Sequence, residues 1–149
     1  MKTLLSISVV CAIAFVFVFA SALSAAPVLA AAANAPSAAE CAAPTTQKMM
    51  NECAYEDFLV ASAEYAASNK QYADRLSSTQ RTLFRRTHSA WIAYQTAACE
   101  FESSALQGGS ARAMSRWQCA SRMTRARAIE VVNLSNCKEG DISCIRLKP

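Results

Sequence analysis

Apolar side chains recur at steps of three or four residues along most of the chain beyond position 46, which is the spacing of one face of an α-helix. The first stripe follows Pro44-Thr45-Thr46, a segment that combines a turn with a helix N-cap. Its members are Met50, Ala54, Phe58, Ala61, Tyr65, Ser68, Tyr72 and Leu76. The pattern predicts one long amphipathic helix that ends or bends at Ser77-Ser78-Thr79.

Two further stripes predict two more helices. The second stripe begins after Ser77-Ser78-Thr79, which can cap a new helix, and comprises Leu83, Thr87, Trp91, Tyr94, Ala98 and Phe101. The segment from Ser103 to Ser110 contains the adjacent Gly108 and Gly109, so we predict that the chain reverses there. The third stripe comprises Ala113, Trp117, Ala120, Thr124, Ala128 and Val131, and the segment from Asn133 to Asn136 is the predicted stop.

The composition agrees with a helical class. The chain has 149 residues with only three glycines and four prolines, too few turn residues for a sandwich of many short strands. Without the apolar N-terminus, about 110 residues remain, which is the size of one domain and too small for a Rossmann fold or a TIM barrel. We therefore predict an all-α fold, a small disulfide-stapled three-helix bundle or helical hairpin with a short C-terminal loop.

The N-terminus has the layout of a secretory signal. Lys2 precedes an apolar run from Leu4 to Ala20, and small residues follow as far as Ala33. We predict a signal peptide within residues 1–33, cleaved between about 22 and 33, and export to the periplasm, the cell envelope or the medium. An uncleaved membrane anchor is the alternative, because the run is nearly long enough to span a bilayer. After cleavage we expect no stable membrane insertion.

Cysteine usage fits export. Of seven cysteines, Cys11 falls in the leader, which leaves Cys41, Cys53, Cys99, Cys119, Cys137 and Cys144. An even number in an exported chain indicates disulfides, and six cysteines permit 15 pairings. Neighbours at the ends of predicted elements favour the pairs 41–53, 99–119 and 137–144, although the connectivity stays open. A zinc site is disfavoured, because the chain has no Cys-x-x-Cys pair and a single histidine, His88. We expect no metal and no cofactor.

The mature chain divides into three predicted segments. Residues 34–40 are rich in Ala, Pro and Ser and resemble a short linker. Residues 41–134 carry the three stripes and form the predicted helical domain. Residues 135–149 form a tail, in which Cys137 and Cys144 are placed to close a loop around Gly140.

Charge is unevenly distributed along the chain. Five acidic residues and one lysine lie between Glu40 and Glu64, whereas ten basic and three acidic residues lie between Lys70 and Arg127. The basic segment includes Arg81, Arg85, Arg86, Arg112, Arg116, Arg122, Arg125 and Arg127. These arginines form either a patch for anionic envelope polymers or a solvated face that balances the acidic first helix. We expect no nucleic-acid partner, because the chain is predicted to be exported.

Residues that would support catalysis are scarce, and the sequence favours a protein that is not an enzyme. Glu100 and Glu102 are two positions apart on a helix and therefore do not converge. His88 between Thr87 and Ser89 could polarise a hydroxyl, but a packing or surface histidine is favoured. The aromatic residues at helical spacing are expected in the core rather than in a ligand-stacking box; they are Trp91, Tyr94, Phe101 and Trp117.

Several motifs recur together along the chain: Cys41 with Gln47 and Cys53, Trp91 with Tyr94, Cys99-Glu100-Phe101-Glu102, Gly108-Gly109-Ser110, and Cys119 with Thr124 and Arg127. In order and spacing they resemble the lysozyme inhibitor LprI-like domain family of exported bacterial proteins. The similarity covers roughly residues 41–134. The chain departs from the family pattern at three places, where Ala-Asp, Asn and Arg-Asp are replaced by Ala61-Ser62, Ala66 and Gln95-Thr96.

The resemblance implies an exported protein that binds lysozyme and protects peptidoglycan from it. Because many animal lysozymes are basic and this chain has a net charge of +4, short-range complementarity rather than charge steering must drive the binding. Either the loop from Ser103 to Arg112 enters the substrate cleft, or the acidic first helix docks on a basic rim. The candidate contact residues are Glu56, Asp57, Gly108, Gly109, Ser110, Arg112 and Arg116. The alternative is a non-enzymatic envelope protein whose arginine-rich helices contact anionic polymers.

Overall fold

The computed structural model describes residues 35–138, 140–142 and 144–148, and this part of the chain contains four α-helices and no strand. The all-α prediction is confirmed. The helices and one intervening 3-10 turn are α1 (Ala38–Ala42), α2 (Gln47–Asp74), α3 (Ser78–Glu102), the 3-10 turn (Ser104–Leu106) and α4 (Arg112–Ser135). No helix among the described residues is both long and apolar enough to span a membrane. The predicted signal peptide at residues 1–33 lies outside the described residues.

Side-chain caps fix where the helices begin. The Thr46 hydroxyl accepts from the backbone N–H of Met49 at the start of α2, as the sequence predicted. At the start of α3, Ser77 and Gln80 form a reciprocal capping box. A second capping box begins α1 at Ser37. This short capped helix occupies residues 38–40 of the segment that the sequence predicts as a linker.

Helix α4 is the element against which the other long helices pack. It makes its most extensive contact with α2 and a smaller one with α3. One cluster of buried side chains lies near the α2–α3 corner and comprises Tyr65, Tyr72, Leu76, Ala128 and Val131, with Phe84, Trp91 and Leu147 packed against it. These residues occupy the stripes predicted for the first and third helices, so both stripes do face the core.

A second buried cluster surrounds a disulfide at the other end of the bundle. Cys99 of α3 is bonded to Cys119 of α4, with their Cα atoms 5.5 Å apart. Phe58, Trp117 and Met123 pack against this pair. The two remaining bonds join Cys41 to Cys53 and Cys137 to Cys144, so all three pairs are those favoured by the sequence.

The stripe predicted for the second helix was wrong in orientation. Tyr94 is 64% exposed and Phe101 is 80% exposed, and Leu83 is exposed as well, whereas Trp91 and Trp117 are half-buried. The inward face of α3 instead carries Phe84, His88, Trp91, Gln95 and Cys99. α3 carries apolar residues on two faces, so the spacing of apolar residues alone does not tell which face packs on the core. The predicted stripe included Leu83, Tyr94 and Phe101, which face solvent.

The tail returns to the corner between α2 and α3. The backbone N–H of Lys148 donates to the carbonyl oxygen of Arg75 at 2.8 Å, and Leu147 packs on the corner cluster. The Gln80 side chain donates to the carbonyl oxygen of Arg146 at 3.4 Å. The tail is therefore part of the packed domain and not a free extension of α4.

Candidate functional site

The Gly-Gly-Ser segment forms an exposed loop between the 3-10 turn and α4. Gly108 has a φ of +77°, a left-handed conformation that glycine adopts without steric cost. At Gly109 a Cβ atom would lie 3.2 Å from the carbonyl oxygen of Leu106, a tight contact. The sequence therefore requires both glycines for this turn, and Gln107, Gly108, Gly109 and Ser110 leave its tip uncharged and open to solvent.

Asn51 of α2 holds this loop in place. Its Nδ2 donates to the carbonyl oxygen of Ser110 at 3.0 Å, and its Oδ1 accepts from the backbone N–H of Met114 at 3.1 Å. Gln47 donates to the same Oδ1 at 2.9 Å. Sequence reasoning missed Asn51, because a polar residue in the first turns of a helix gives no sign of a long-range partner.

The arginines next to the loop are directed back onto the bundle. Arg112 and Arg116 each form a 2.7 Å ion pair with Glu100, one to each carboxylate oxygen. The Arg116 guanidinium also lies 4.8 Å from the centroid of the Trp117 ring. Glu100 therefore pairs with both of the arginines that the sequence placed among the candidate contacts.

Two exposed aromatic residues occupy the last three turns of α3, the helix that leads into the 3-10 turn and the loop. Tyr94 and Phe101 are two helical turns apart on one face, and Leu106 in the 3-10 turn is also exposed. We refer to Tyr94, Phe101, Leu106 and residues 108–110 as the loop-end surface. Arg122 Nη2 donates to both carboxylate oxygens of Glu102, the residue after Phe101, at 3.0 and 2.8 Å. The surface thus combines apolar side chains with a paired polar neighbour, as protein interfaces commonly do.

The two acidic candidates on α2 have different environments. Asp57 accepts from Arg125 at 2.6 and 2.9 Å and from the buried Ser121 hydroxyl at 2.7 Å. The hydrogen bond from Arg125 lowers the pKa of Asp57 below its ordinary value; partial burial opposes this effect and the Ser121 bond adds to it. Glu56 forms no ion pair with any described residue. The structure therefore leaves Glu56, and not Asp57, free for a partner.

Most of the arginines in the basic segment have intramolecular partners. On α4, Arg122, Arg125 and Arg127 pair with Glu102, Asp57 and Glu130, in addition to the two arginines held by Glu100. On α3, Arg81 donates to the carbonyl oxygens of Ala73 and Leu76 and so caps the end of α2. The arginines therefore do not form one unpaired basic patch, which favours the interpretation as a balanced, solvated face.

The remaining family-motif residues support the fold. Thr124 is buried, and its hydroxyl accepts from Gln95 Nε2 at 2.6 Å; the same nitrogen donates to the carbonyl oxygen of Ala120 at 3.0 Å. His88 Nδ1 lies 2.9 Å from the Tyr65 hydroxyl, which places this histidine in a packing role. No group of three His, Cys, Asp or Glu residues within the described ranges is arranged to hold a metal ion.

A groove of about 390 Å³ runs between α2 and α3 above Thr124 of α4. We refer to it as the central groove. Its lining residues are Phe58, Ser62, Tyr65, Ala66, Asn69, His88, Trp91, Ile92, Gln95 and Thr124. Ser62, Ala66 and Gln95 are positions at which the chain departs from the family pattern, and the structure brings these three together in one place.

The comparisons with known proteins agree with the motifs. A family model described as "Lysozyme inhibitor LprI" matches residues 38–131, which is more than half of the chain. No curated protein and no solved structure matches. The matched region begins with α1 and ends within α4, so it contains the loop-end surface and the central groove.

Proposed function

Because the chain belongs to the LprI family of lysozyme inhibitors, we propose that it is an exported, non-enzymatic protein that binds lysozyme and protects bacterial peptidoglycan. Export would follow from the leader within residues 1–33 and agrees with the three disulfides, which persist in oxidising compartments. The observation that carries the proposal is the family match, which covers α2, α3 and most of α4.

We place the contact with lysozyme at the loop-end surface. Exposed aromatic side chains are the residues that most often dominate the energy of a protein interface. Phe101 and Tyr94 are exposed, whereas Tyr65 and Tyr72 of the same domain are buried. The fold therefore does not leave its aromatic rings exposed in general. A loop tied down by Asn51 and backed by the Cys99–Cys119 bond also loses little conformational entropy on binding.

The uncharged loop tip suits a lysozyme cleft, whose reaction requires two carboxyl groups. Backbone N–H groups and the Ser110 hydroxyl can donate to such carboxylates without placing an unpaired positive charge in the interface. This mode assigns Arg112 and Arg116 a supporting role, since Glu100 already holds both. Glu56 is the remaining candidate for a charged contact with a basic rim.

The test is a lysis assay run beside a small-substrate assay. We expect the oxidised protein at micromolar concentration to slow lysozyme on cell-wall suspensions and on a soluble chito-oligosaccharide alike, because both require the same cleft. Protein that has been reduced and alkylated should lose the effect. Slowed lysis with unchanged oligosaccharide cleavage would instead support an envelope protein that coats anionic polymers, and no slowing with any lysozyme class would overturn the proposal.

A further inference from the structure

On the α2 side, the central groove is lined by small side chains that leave space between the helices. Ser62 and Ala66 lie one turn apart on α2, and opposite them α3 presents Trp91 and Ile92. The Tyr65 ring packs between the helices, with its centroid 4.9 Å from that of Trp91 and 5.5 Å from that of His88. Large rings therefore hold the two helices apart, while the neighbouring small residues leave the space between them unfilled.

The groove offers no opposite charge to an ionic ligand. None of its ten lining residues is Asp, Glu, Lys or Arg. A charged molecule would lose hydration in this groove without gaining an ion pair, which is strongly unfavourable. Its ligand should therefore be neutral and should have an apolar face for Phe58, Trp91 and Ile92.

The polar groups of the groove differ in whether they already have partners. Gln95 Nε2 donates to the carbonyl oxygen of Ala120 and to the Thr124 hydroxyl, and the Tyr65 hydroxyl is paired with His88 Nδ1. Asn69 Oδ1 differs, because it is buried and has no hydrogen-bond partner within the described chain. A buried acceptor without a partner is unfavourable, so a ligand that brings one donor to this atom relieves that cost.

From this geometry we propose that the central groove binds a neutral aromatic molecule that carries one hydrogen-bond donor, of the indole or phenol class. The ring lies between Trp91 and the small residues of α2, and its N–H or O–H donates to Asn69 Oδ1. A sugar would bury several hydroxyl groups against a lining made largely of Phe58, Tyr65, Ala66, Trp91 and Ile92, and a peptide would bury its backbone amides there as well. A free ring with one donor leaves no such group unsatisfied.

This site shares no residue with the loop-end surface, so its test does not depend on lysozyme. Indole is titrated into the oxidised protein, and binding is followed by calorimetry and by amide chemical shifts. We expect saturable binding with shift changes at residues 62, 66, 69 and 92. The absence of saturation at millimolar indole and millimolar phenol would overturn the proposal, as would tighter binding of N-acetylglucosamine or of N-acetyltryptophanamide than of indole.

Two matched pairs of measurements test the location and the hydrogen bond. Ala66→Trp fills the groove and should abolish binding, whereas Ala67→Trp, at an exposed neighbour outside the lining, should leave it unchanged. Asn69→Leu should weaken indole about tenfold but leave 1-methylindole, which lacks the donor, unaffected. Unchanged binding in Ala66→Trp would overturn the location, and equal weakening of both ligands by Asn69→Leu would overturn the assigned hydrogen bond.

Discussion

Asn51 and Ser110 are 59 positions apart in the sequence, yet a 3.0 Å hydrogen bond joins the side chain of the first to the carbonyl oxygen of the second. The same asparagine accepts from the N–H of Met114, near the start of α4. One side chain of α2 therefore determines the position of the Gly-Gly-Ser loop and the start of the following helix.

Replacing Asn51 with alanine should loosen the loop and weaken lysozyme inhibition. Both hydrogen bonds are lost, so we expect the free energy of unfolding to fall by about 1–2 kcal/mol and amide exchange to accelerate from Ser110 to Met114. Asn51→Asp, which keeps the acceptor for Met114, should have a smaller effect on exchange at Met114. Protection unchanged in both variants would show that Asn51 does not anchor the loop.

Phe101→Ala and Tyr94→Ala should each weaken inhibition by tenfold or more while leaving stability nearly unchanged. Both rings are exposed, so truncation removes little buried area from the folded protein. Ile129→Ala, at a position on α4 that is 62% exposed, is the matched control and should inhibit like the parent. Equal inhibition constants for all three variants would exclude the loop-end surface as the contact.

Removing the Cys99–Cys119 bond with a double change to alanine should destabilise the domain more than removing Cys137–Cys144. The first closes a sequence separation of 20 and the second only 7, which corresponds to roughly 3 and 2 kcal/mol of chain entropy. The first bond also lies in a buried cluster, so its loss disturbs packing as well. Urea unfolding of the two variants measures the difference; a larger loss for the tail bond would contradict the prediction.

Asp57 should make unfolding pH-dependent on the acid side. Its hydrogen bond from Arg125 lowers the pKa in the folded state, so its contribution is fully present above the pKa of the unfolded chain and disappears as the pH falls through the lower, folded value. The transition therefore lies below roughly pH 4. Asp57→Asn should cost about 1 kcal/mol at neutral pH and should converge with the parent in acid.

Glu56→Gln provides the control for this titration, because Glu56 neighbours Asp57 but forms no ion pair within the described part of the chain. Its urea midpoint should follow that of the parent at every pH. An Asp57→Asn variant whose stability stays parallel to the parent down to pH 2 would show that the Arg125 contact does not stabilise the fold.

Retention on an anionic resin should be weak in the parent and stronger in Glu100→Gln. Glu100 pairs with both Arg112 and Arg116, and removing its charge leaves two guanidinium groups available to an external anion. Elution in a sodium chloride gradient measures the change, and Arg85→Ala with Arg86→Ala serves as the comparison at a site away from these pairs. Strong, salt-sensitive retention of the parent would favour the envelope-polymer alternative.

The helical pattern predicted α2 and α4 better than α3 for a physical reason. α2 buries Tyr65 and Tyr72, and α4 buries Ala128 and Val131, so in both helices the apolar stripe is the packed face. α3 instead packs through Gln95, whose amide is satisfied by Thr124 and Ala120. A buried glutamine looks like a surface residue in a sequence, because only its partners on another helix make its burial favourable.

The candidate site was predictable only where local chemistry determines it. Gly108 and Gly109 predicted the loop correctly, because few other residues fit such a turn. Asn51 was not predicted, because its hydrogen-bond partner Ser110 is far away in the sequence. Asn69 was not predicted either, because only the folded structure shows that its Oδ1 is buried without a partner among the described residues. The ion pairs of Arg112 and Arg116 were missed for the same reason.

The tail returns to the α2–α3 corner and therefore offers an attachment point at one end of the domain. α2 has 28 residues, a length of roughly 40 Å, and the Gly-Gly-Ser loop lies at its opposite end. At the corner, the backbone N–H of Lys148 donates a hydrogen bond to the carbonyl oxygen of Arg75. A molecule immobilised through a residue of this tail would therefore present the Gly-Gly-Ser loop away from the support, which fixes its orientation in surface-based binding measurements.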